Sequence, residues 1–201
     1  MESYKEINRI VYDKYAGQFE DFTKDYLEHI LEDANLFLDS LNGNKILDLG
    51  SGPGRDSLFF KESDFKPVCL DISKEMIKLC REKSLMGVIG DLENLCFKNN
   101  SFDGVWAHTS LLHSPKEKLD YNISQIKRIL KDDGVFYLGM KEGDFEGFLE
   151  SDKYPGIKRF FSLYRDEELS EILSQYFETF HKSKVRLEKA TFINYLCRPK
   201  K

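Results

Sequence analysis

The sequence predicts an α/β fold in which helices cover both faces of a mostly parallel sheet. Apolar runs of strand length recur from residue 45 onward, separated by helical or polar segments; the runs are KILDL, PVCLD, MGVIG, FDGVWAH and GVFYLGM. This alternation is typical of βαβ units, because parallel neighbours require a long crossover connection. Near the end of the chain, KVRLEKATFINYLCRP contains two strand-like runs without a helix between them, so these are expected to pair antiparallel.

Helices are expected before, between and after these strands. Ser114 followed by Pro115 predicts a capped helix start, and Ser73 predicts a weaker cap for KEMIKLCREK. DEELSEILSQYF predicts one more helix near the end. The first forty residues are also predicted to be helical, because apolar side chains recur three or four positions apart. The predicted apolar face consists of Phe22, Tyr26, Ile30, Ala34, Phe37 and Leu41.

Length and composition favour a single globular domain. The chain has 201 residues, of which 41% are hydrophobic and 32% charged, enough for one full core. No run approaches the roughly 18 apolar residues of a membrane span, and MESYKEINRI lacks a signal-peptide core, so we expect a cytoplasmic protein with no membrane association. The formal net charge of -5 argues against a protein that coats nucleic acid, although it is compatible with a local basic patch.

The cysteines do not predict a metal site or a disulfide framework. Cys69, Cys80, Cys96 and Cys197 show no CxxC spacing and no nearby histidine pair. Cys69 and Cys197 lie in apolar strand-like runs, where reduced cysteine behaves as a small hydrophobic residue. We therefore expect no bound metal.

A glycine-rich turn follows the first predicted strand. Gly50, Gly52 and Gly54 stand on alternate positions between KILDL and the helix-like RDSLFF. Glycine lets the main chain approach a ligand closely, and a helix N-terminus can hold an anionic group. In an open parallel sheet, ligands bind beyond the carboxyl ends of the strands where strand order reverses. The turn therefore predicts a ligand site. The alternative is that the glycines only allow a tight turn between the strand and the helix.

Two cofactor classes compete for this turn. Dinucleotide-binding folds prefer G-x-G-x-x-G, whereas the spacing here is G-x-G-x-G and Arg55 occupies the third-glycine position. Asp48 precedes the first glycine by two residues. Asp71, 21 positions after Gly50, matches the acid that receives ribose hydroxyls in either class. Asp71 thus supports adenosine binding, and Arg55 argues against a dinucleotide.

The segment LDLGSGPG resembles the first motif of the class I S-adenosylmethionine-dependent methyltransferases. VCLDIS, IGDLENLCF and SFDGVWAHTSLLHSPKEKL resemble the second, third and fourth motifs, and the four cover about Lys45 to Lys141 in the family's order. The resemblance implies a Rossmann-like three-layer αβα sandwich with a seven-stranded, mostly parallel sheet, an antiparallel last strand and N-terminal helices. It implies one domain over residues 1–201, with a helical cap (1–41), a cofactor-binding core (45–141) and an acceptor-side region (142–201).

The resemblance also implies the cofactor and its contacts. The chain would bind S-adenosyl-L-methionine and release S-adenosyl-L-homocysteine without a metal. Asp71 would receive the ribose hydroxyls, Asp91 and the backbone of Leu92 would reach the adenine, and the glycine turn would hold the amino-acid end. The implied cofactor residues are Asp48, Gly50, Ser51, Gly52, Gly54, Arg55, Asp71, Ile72, Met76, Asp91, Leu92, Ala107 and His108.

The acceptor side is predicted less directly. His113 follows the fourth strand and titrates near neutrality when unperturbed, so it is a candidate base; shaping the pocket is the alternative. Tyr15 is a second catalytic candidate, because similar small-molecule enzymes carry a YDKYA-like segment before a helix. Two aromatic segments, IVYDKYAGQFEDF and KRFFSLYRDEEL, are expected to form a lid, although core packing is favoured for Phe19, Phe161 and Trp106. The candidate substrate contacts are Tyr12, Lys141, Phe160 and Tyr164.

The favoured function is methyl transfer to a small molecule. The cofactor's sulfonium activates the methyl group, so the protein needs to orient the acceptor and requires no nucleophile of its own. A protein or RNA acceptor is the nearest alternative; a noncatalytic cofactor-binding module and an NAD-dependent oxidoreductase are further ones. No Asn-Pro-Pro-Tyr-like tetrapeptide follows the fourth strand, which disfavours methylation of adenine or glutamine amides. We expect a monomer or homodimer.

Overall fold

The computed structural model describes residues 3–150 and 156–201, and a seven-stranded sheet forms its centre. The strands are β1 Lys45–Leu49, β2 Lys66–Asp71, β3 Met86–Ile89, β4 Phe102–His108, β5 Leu130–Lys141, β6 Phe145–Glu150, β7 Lys158–Leu163, β8 Phe177–Leu187 and β9 Ala190–Pro199. The sheet order is β3-β2-β1-β4-β5-β9-β8, and β6 pairs with β7 separately. Neighbours among β1 to β5 are parallel, and β9 is antiparallel to β5 and β8. The predicted fold class is confirmed.

Helices precede the sheet and connect its strands. The α-helices are α1 Tyr4–Lys14, α2 Ala16–Thr23, α3 Leu31–Asp39, α4 Arg55–Glu62, α5 Lys74–Glu82, α6 Lys116–Ile129 and α7 Asp166–Ser174. Short 3-10 helices cover Tyr26–Ile30 and Leu111–His113. None of the helices in the described part of the chain has both the length and the apolar character needed to cross a bilayer.

Strand order reverses at β1, and this reversal positions the site. β1 pairs with β2 on one side and with β4 on the other. The chain therefore runs outward through β2 and β3 and returns to the opposite side of β1. The connections leave from opposite faces at such a point, which opens a crevice beyond the carboxyl ends of the strands.

Apolar side chains cover both faces of the sheet. On one face, Ile123 and Ile126 of α6 and Leu169 of α7 pack into the larger buried cluster. On the other, Phe37 of α3 and Phe60 of α4 are fully buried. Helices α3 and α4 thus form one outer layer and α6 and α7 the other, with the sheet between them.

Trp106 lies in the middle of the second cluster, as predicted. Its ring stacks on Tyr137 with 3.5 Å between centroids, and the ring of Phe60 meets it edge-on. Its indole Nε1 donates a hydrogen bond to Asp56 at 2.9 Å, so the polar end of this buried ring is satisfied.

The N-terminal region is helical, but it is divided into short segments. α1 ends at Lys14, α2 ends at Thr23, and a 3-10 helix then leads into α3. Each break redirects the chain, so residues three or four apart do not stay on one face. The predicted apolar face is therefore wrong at Phe22, which is 52% exposed, and right at Ala34 and Phe37, which are fully buried.

The two predicted serine caps have different outcomes. Ser73 caps α5, because its Oγ accepts a hydrogen bond from the backbone N–H of Met76 at 3.2 Å. The cap predicted for Ser114 is wrong: its Oγ donates to the Glu93 carboxylate at 2.8 Å and accepts from Asn122 at 3.0 Å. The bond donated to the Glu93 carboxylate is charge-assisted and orients the hydroxyl, and its oxygen accepts from the Asn122 side chain instead of from a backbone N–H of α6.

The small β6–β7 sheet is an element that the sequence patterns did not predict. It packs against α1 through Asn8, which is buried. Asn8 Nδ2 donates to the carbonyl oxygen of Phe160 at 3.2 Å, and its Oδ1 accepts from the N–H of Phe160 at 2.8 Å. One side chain thus satisfies both backbone groups of a β7 residue and fixes α1 beside β7.

Candidate functional site

A cavity of about 600 Å³ lies at the reversal point of the sheet. Asp48 and Asp71 at the ends of β1 and β2, and His108 at the end of β4, line its floor. Tyr12 from α1 and Arg159 from β7 line its cover. This volume is in the range of pockets that hold small ligands.

Among the three glycines of the turn, Gly52 is the one that faces the cavity without close packing against other residues. Gly50, Gly52 and Gly54 have φ of 73°, 52° and 82°. A Cβ on Gly50 would lie 2.3 Å from the Cβ of Ser110, and one on Gly54 would lie 2.7 Å from a leucine methyl. A Cβ on Gly52 would meet only Phe19, at 3.5 Å. Two glycines thus permit close packing, and Gly52 leaves space at the cavity wall.

Asp71 is positioned by the turn and by the start of α5. Its Oδ2 accepts the N–H of Gly52 at 2.9 Å, and its Oδ1 accepts the N–H of Ser73 at 2.8 Å. Burial raises the pKa of Asp71 to about 6, although these backbone bonds act in the opposite direction. Each carboxylate oxygen has two lone pairs, so both keep the capacity to accept hydroxyl groups.

Ion pairs hold α1 over the loop that follows β3. Lys5 Nζ lies 2.6 Å from Asp91 Oδ2 and 2.7 Å from Glu93 Oε2. Tyr4 donates its hydroxyl to Glu93 at 2.5 Å. Burial would raise the pKa of Glu93, but hydrogen bonds from Lys118, Lys5 and other neighbours lower it to about 2. Glu93 therefore stays ionised and anchors this end of α1.

A buried polar network forms the wall below α2. Arg55 Nε contacts Asp56 Oδ1 at 2.6 Å, and its Nη1 donates to the carbonyl oxygen of Thr23 at 3.0 Å. Ser57 donates to Asp48 at 2.7 Å. Burial and the nearby charge of Asp56 raise the pKa of Asp48. The two acids thus have different environments, and the guanidinium neutralises Asp56.

The cavity wall carries buried polar atoms that have no partner among the described residues. These atoms are Tyr26 Oη, His108 Nε2, Ser110 Oγ and Arg159 Nε. Buried polar groups in folded proteins are rarely left unpaired, so their presence around one cavity fits a polar ligand. Thr109 beside them is a non-glycine residue at φ 55°, a strained conformation that clusters at functional sites.

Tyr12, His113 and Arg159 form a hydrogen-bonded chain at the cover of the cavity. Tyr12 Oη lies 2.7 Å from His113 Nε2, and Arg159 Nη1 donates to Tyr12 Oη at 2.8 Å. His113 Nδ1 lies 2.8 Å from the carbonyl oxygen of Phe160. A carbonyl only accepts, so Nδ1 carries the proton and Nε2 accepts from Tyr12. Burial lowers the pKa of His113 to about 3, and its imidazole is neutral.

Most of the predicted cofactor residues meet at this cavity. Gly54 and Ala107 do not line it, because Gly54 precedes α4 in a left-handed conformation and Ala107 is fully buried inside β4. The predicted residues that line the cavity are Asp48, Gly50, Ser51, Gly52, Arg55, Asp71, Ile72, Met76, Asp91, Leu92 and His108.

The acceptor-side candidates are divided between the cavity and its surroundings. Tyr15 ends α1 outside the cavity, Phe160 packs its ring on Phe148, and Tyr164 is fully buried. Side chains alternate along a strand, so Phe161 reaches the cavity where Phe160 does not. The candidates that line the cavity are Tyr12, His113 and Lys141, together with Phe19, for which core packing had been favoured.

Sequence reasoning missed Arg159 and Lys5. Arg159 lies two residues before Phe161 on β7, so both side chains share a strand face; a period of two within KRFFSL was the available signal. Lys5 lies seven residues before Tyr12, which puts both on one side of α1. Neither position has a motif around it.

Comparisons with known proteins agree with this geometry. Residues 46–134 match the family described as a methyltransferase domain. An uncharacterized protein of Methanocaldococcus jannaschii is 32% identical over 126 residues, which cover 62% of this chain and 48% of that protein. The sarcosine/dimethylglycine N-methyltransferase of Aphanothece halophytica is 33% identical over 103 residues, which cover 47% of this chain and 36% of that protein. The chain thus matches about half the length, or less, of these two curated relatives.

A solved structure shares the fold. The 1,6-didemethyltoxoflavin-N1-methyltransferase of Burkholderia thailandensis was crystallised with bound 1,6-didemethyltoxoflavin and S-adenosylhomocysteine. It superposes with a TM-score of 0.77 at 20% identity, and the match covers 97% of this chain and 88% of that chain. At this identity the likeness establishes the fold.

Proposed function

Residues 46–134 belong to the methyltransferase domain family, and from this premise we propose that the chain is a class I S-adenosylmethionine-dependent methyltransferase acting on a small molecule. The observation that carries the proposal is the cavity beside the glycine turn, where Gly52 leaves space and Asp71 keeps free acceptor capacity. Four cavity residues with unpaired buried polar atoms add to the fit.

The cofactor would lie along the floor of the cavity. Asp71 would accept the two ribose hydroxyls, and the space beside Gly52 would admit the amino-acid end. Asp91 would face the adenine, although Lys5 already contacts its Oδ2 at 2.6 Å. The adenine would therefore use the other carboxylate oxygen or the backbone of Leu92.

The protein's share of the chemistry is orientation and exclusion of water. When bound, S-adenosylmethionine would supply a methyl group on a sulfonium; an acceptor lone pair would form the new bond to that methyl carbon in line as the carbon–sulfur bond breaks and S-adenosylhomocysteine leaves. Holding the acceptor in a near-attack geometry can contribute roughly 7 to 11 kcal/mol at best. The aromatic rings of Phe19, Tyr12 and Phe161 line the cavity and would attract the sulfonium charge.

We assign His113 a positioning role. Its pKa of about 3 lies some four units below neutrality, so protonating it at pH 7 would cost about 5 kcal/mol. A base so weak would contribute little to deprotonation of an acceptor. Its Nε2 instead fixes the Tyr12 hydroxyl, whose remaining lone pair is available to an acceptor O–H or N–H.

A small-molecule acceptor is supported by how the cavity is covered. α1 is anchored at one end by the Lys5–Asp91 pair and in the middle by the bonds of Asn8 to Phe160. A macromolecular acceptor would have to displace this cover. Two of the three proteins named above, the sarcosine/dimethylglycine and the 1,6-didemethyltoxoflavin enzymes, also bear the names of methyltransferases with small-molecule acceptors.

The acceptor class is tested with a fractionated cell extract. The protein is incubated with methyl-deuterated S-adenosylmethionine and either the metabolite fraction or the macromolecular fraction. We expect S-adenosylhomocysteine and a labelled product from the metabolite fraction, and neither with Asp71→Asn. Product from the macromolecular fraction alone would contradict the small-molecule acceptor, and cofactor binding without product from either would favour a noncatalytic module.

A further inference from the structure

We propose that Arg159 binds an anionic group of the acceptor, a carboxylate or a phosphate, and so selects acidic acceptors. This inference rests on the proposed function, and it adds a specificity residue that no sequence motif marks. Arg159 is on β7, lines the cavity, and is 105 or more residues (159 − 54) away from the glycine turn and β1 in the chain.

The guanidinium of Arg159 is held in a fixed orientation. It lies 5.4 Å from the ring centroid of Tyr12 and 5.0 Å from that of Phe161. Its Nη1 donates to Tyr12 Oη at 2.8 Å. A guanidinium held between two rings loses little further freedom on binding a ligand, because its planar fork is already oriented.

One edge of this guanidinium has no hydrogen-bond partner among residues 3–150 and 156–201. Nη1 is used by Tyr12, whereas Nε is buried without a hydrogen bond among the described residues. Nε and Nη2 together present two parallel N–H donors. This geometry matches two oxygens of a carboxylate or a phosphate, which an arginine binds in bidentate fashion.

The charge of Arg159 is also not neutralised within the described part of the chain. The other arginine of the cavity, Arg55, is paired with Asp56 at 2.6 Å, and Lys5 is paired with Asp91 and Glu93. No described carboxylate lies within 4.0 Å of the Arg159 guanidinium. A partly buried cation without a counter-charge is costly, and an anionic ligand would supply that counter-charge.

The location suits the acceptor. Arg159 donates to Tyr12 and lies beside Phe161, and all three line the same cavity as Asp71. Arg159 therefore lies on the cover of the cavity in which the cofactor is proposed to bind. An acceptor whose anionic group sat on Arg159 would be oriented toward Tyr12 and the methyl group.

The amino-acid carboxylate of the cofactor is the competing ligand. The two assignments differ in one measurable respect. If Arg159 held the cofactor, Arg159→Gln would weaken binding of S-adenosylhomocysteine. If it holds the acceptor, that affinity stays within about twofold of wild type, since RT ln 2 is smaller than the energy of one hydrogen bond.

The experiment is an NMR titration of the wild-type protein saturated with S-adenosylhomocysteine. The arginine Nε–H resonances are recorded while sodium acetate, inorganic phosphate or neutral acetamide is added at constant ionic strength. The resonance of Arg159 is identified by its absence from Arg159→Gln and Arg159→Lys. Lys158→Gln, at the exposed preceding position of β7, is the matched control.

We expect a saturable shift of the Arg159 resonance with acetate or phosphate, none with acetamide, and the same shift in Lys158→Gln. Whether acetate or phosphate produces the shift shows which anionic group, a carboxylate or a phosphate, Arg159 binds. No saturable shift with either anion, an equal shift with acetamide, or a tenfold loss of S-adenosylhomocysteine affinity in Arg159→Gln would overturn the inference. Failure of wild type to bind S-adenosylhomocysteine would instead contradict the proposed function.

Discussion

The hydroxyl oxygen of Tyr12 lies 2.7 Å from Nε2 of His113, and this hydrogen bond joins α1 to the segment that follows β4. The carbonyl oxygen of Phe160 binds the other nitrogen of the same ring at 2.8 Å. Three parts of the chain that are far apart in sequence thus meet at one imidazole. Its burial and its neutral state have measurable consequences.

Stability should depend on pH through His113. The pKa of His113 is about 3 in the native state, because burial disfavours its charge, and about 6.5 in the unfolded chain. Between these values only the unfolded chain binds the proton, so the native state loses stability as pH falls below 6.5. The loss is about 1.4 kcal/mol per pH unit.

Urea unfolding of wild type and His113→Gln at pH 7, 6 and 5 measures this loss of stability. The free energy of unfolding of the wild type minus that of His113→Gln should fall by about 1.4 kcal/mol for each pH unit below 6.5. Other titrating groups are the same in both proteins, so their contributions cancel in this difference. Parallel pH profiles would show that His113 is not buried as a neutral group.

Cofactor affinity should fall in mild acid through Asp71. Burial raises the pKa of Asp71 to about 6, so its carboxyl becomes protonated as pH drops below that value. Protonation removes acceptor capacity for the ribose hydroxyls. The dissociation constant of S-adenosylhomocysteine should rise up to about tenfold per pH unit below 6.

Calorimetric titrations from pH 7.5 to 5 measure this dependence. Asp71→Asn is nearly the same size and does not titrate, so its affinity should be weaker and independent of pH. A pH-independent affinity in wild type would exclude Asp71 as the titrating contact.

The three glycines of the turn should not be equivalent. An alanine in the left-handed region costs about 1 to 2 kcal/mol at any of them. At Gly54 a Cβ would also lie 2.9 Å from the sulfur of Cys80, whereas at Gly52 it meets only Phe19 at 3.5 Å. Gly54→Ala should therefore lower the melting temperature more, and Gly52→Ala should weaken S-adenosylhomocysteine binding more. Thermal unfolding and calorimetry on both variants separate the effects, and the reverse ranking would place the cofactor elsewhere.

Asn8 should control how firmly α1 covers the cavity. Asn8→Ala leaves the backbone N–H of Phe160 without its partner, a loss of roughly 1 to 3 kcal/mol for a buried polar group left unpaired, whereas the carbonyl oxygen keeps its bond to His113 Nδ1. Hydrogen–deuterium exchange should quicken in α1 and β7 and stay unchanged in β1 and β4. Asn42→Ala, at an exposed asparagine, is the matched control; equal exchange in the two variants would contradict the role of Asn8.

The part of the candidate site around the glycine turn could be predicted because its signals are local. The glycines follow β1 directly, and Asp71 ends the neighbouring strand, so a strand-turn-helix pattern places them at one sheet edge. The parallel order of the central strands then determines which carboxyl ends meet. No contact between distant side chains is needed for either step.

The part of the candidate site around Tyr12 and Arg159 could not be predicted in this way. Arg159 meets Tyr12 because α1 packs against β7. Asn8 contributes to this packing through the backbone of Phe160, and no local pattern encodes it. Ser114 shows the same limit on a smaller scale. Its position predicts a cap, but its hydroxyl donates to Glu93, which is distant in the chain, and accepts from the side chain of Asn122.

Calorimetry of the wild-type protein with S-adenosylhomocysteine and with NAD decides which cofactor class the cavity binds. We expect saturable binding of S-adenosylhomocysteine at one site, at least about tenfold weaker binding by Asp71→Asn because hydrogen bonds to a charged group are lost, and no binding of NAD. Tight binding of NAD, with no heat from S-adenosylhomocysteine, would contradict this expectation.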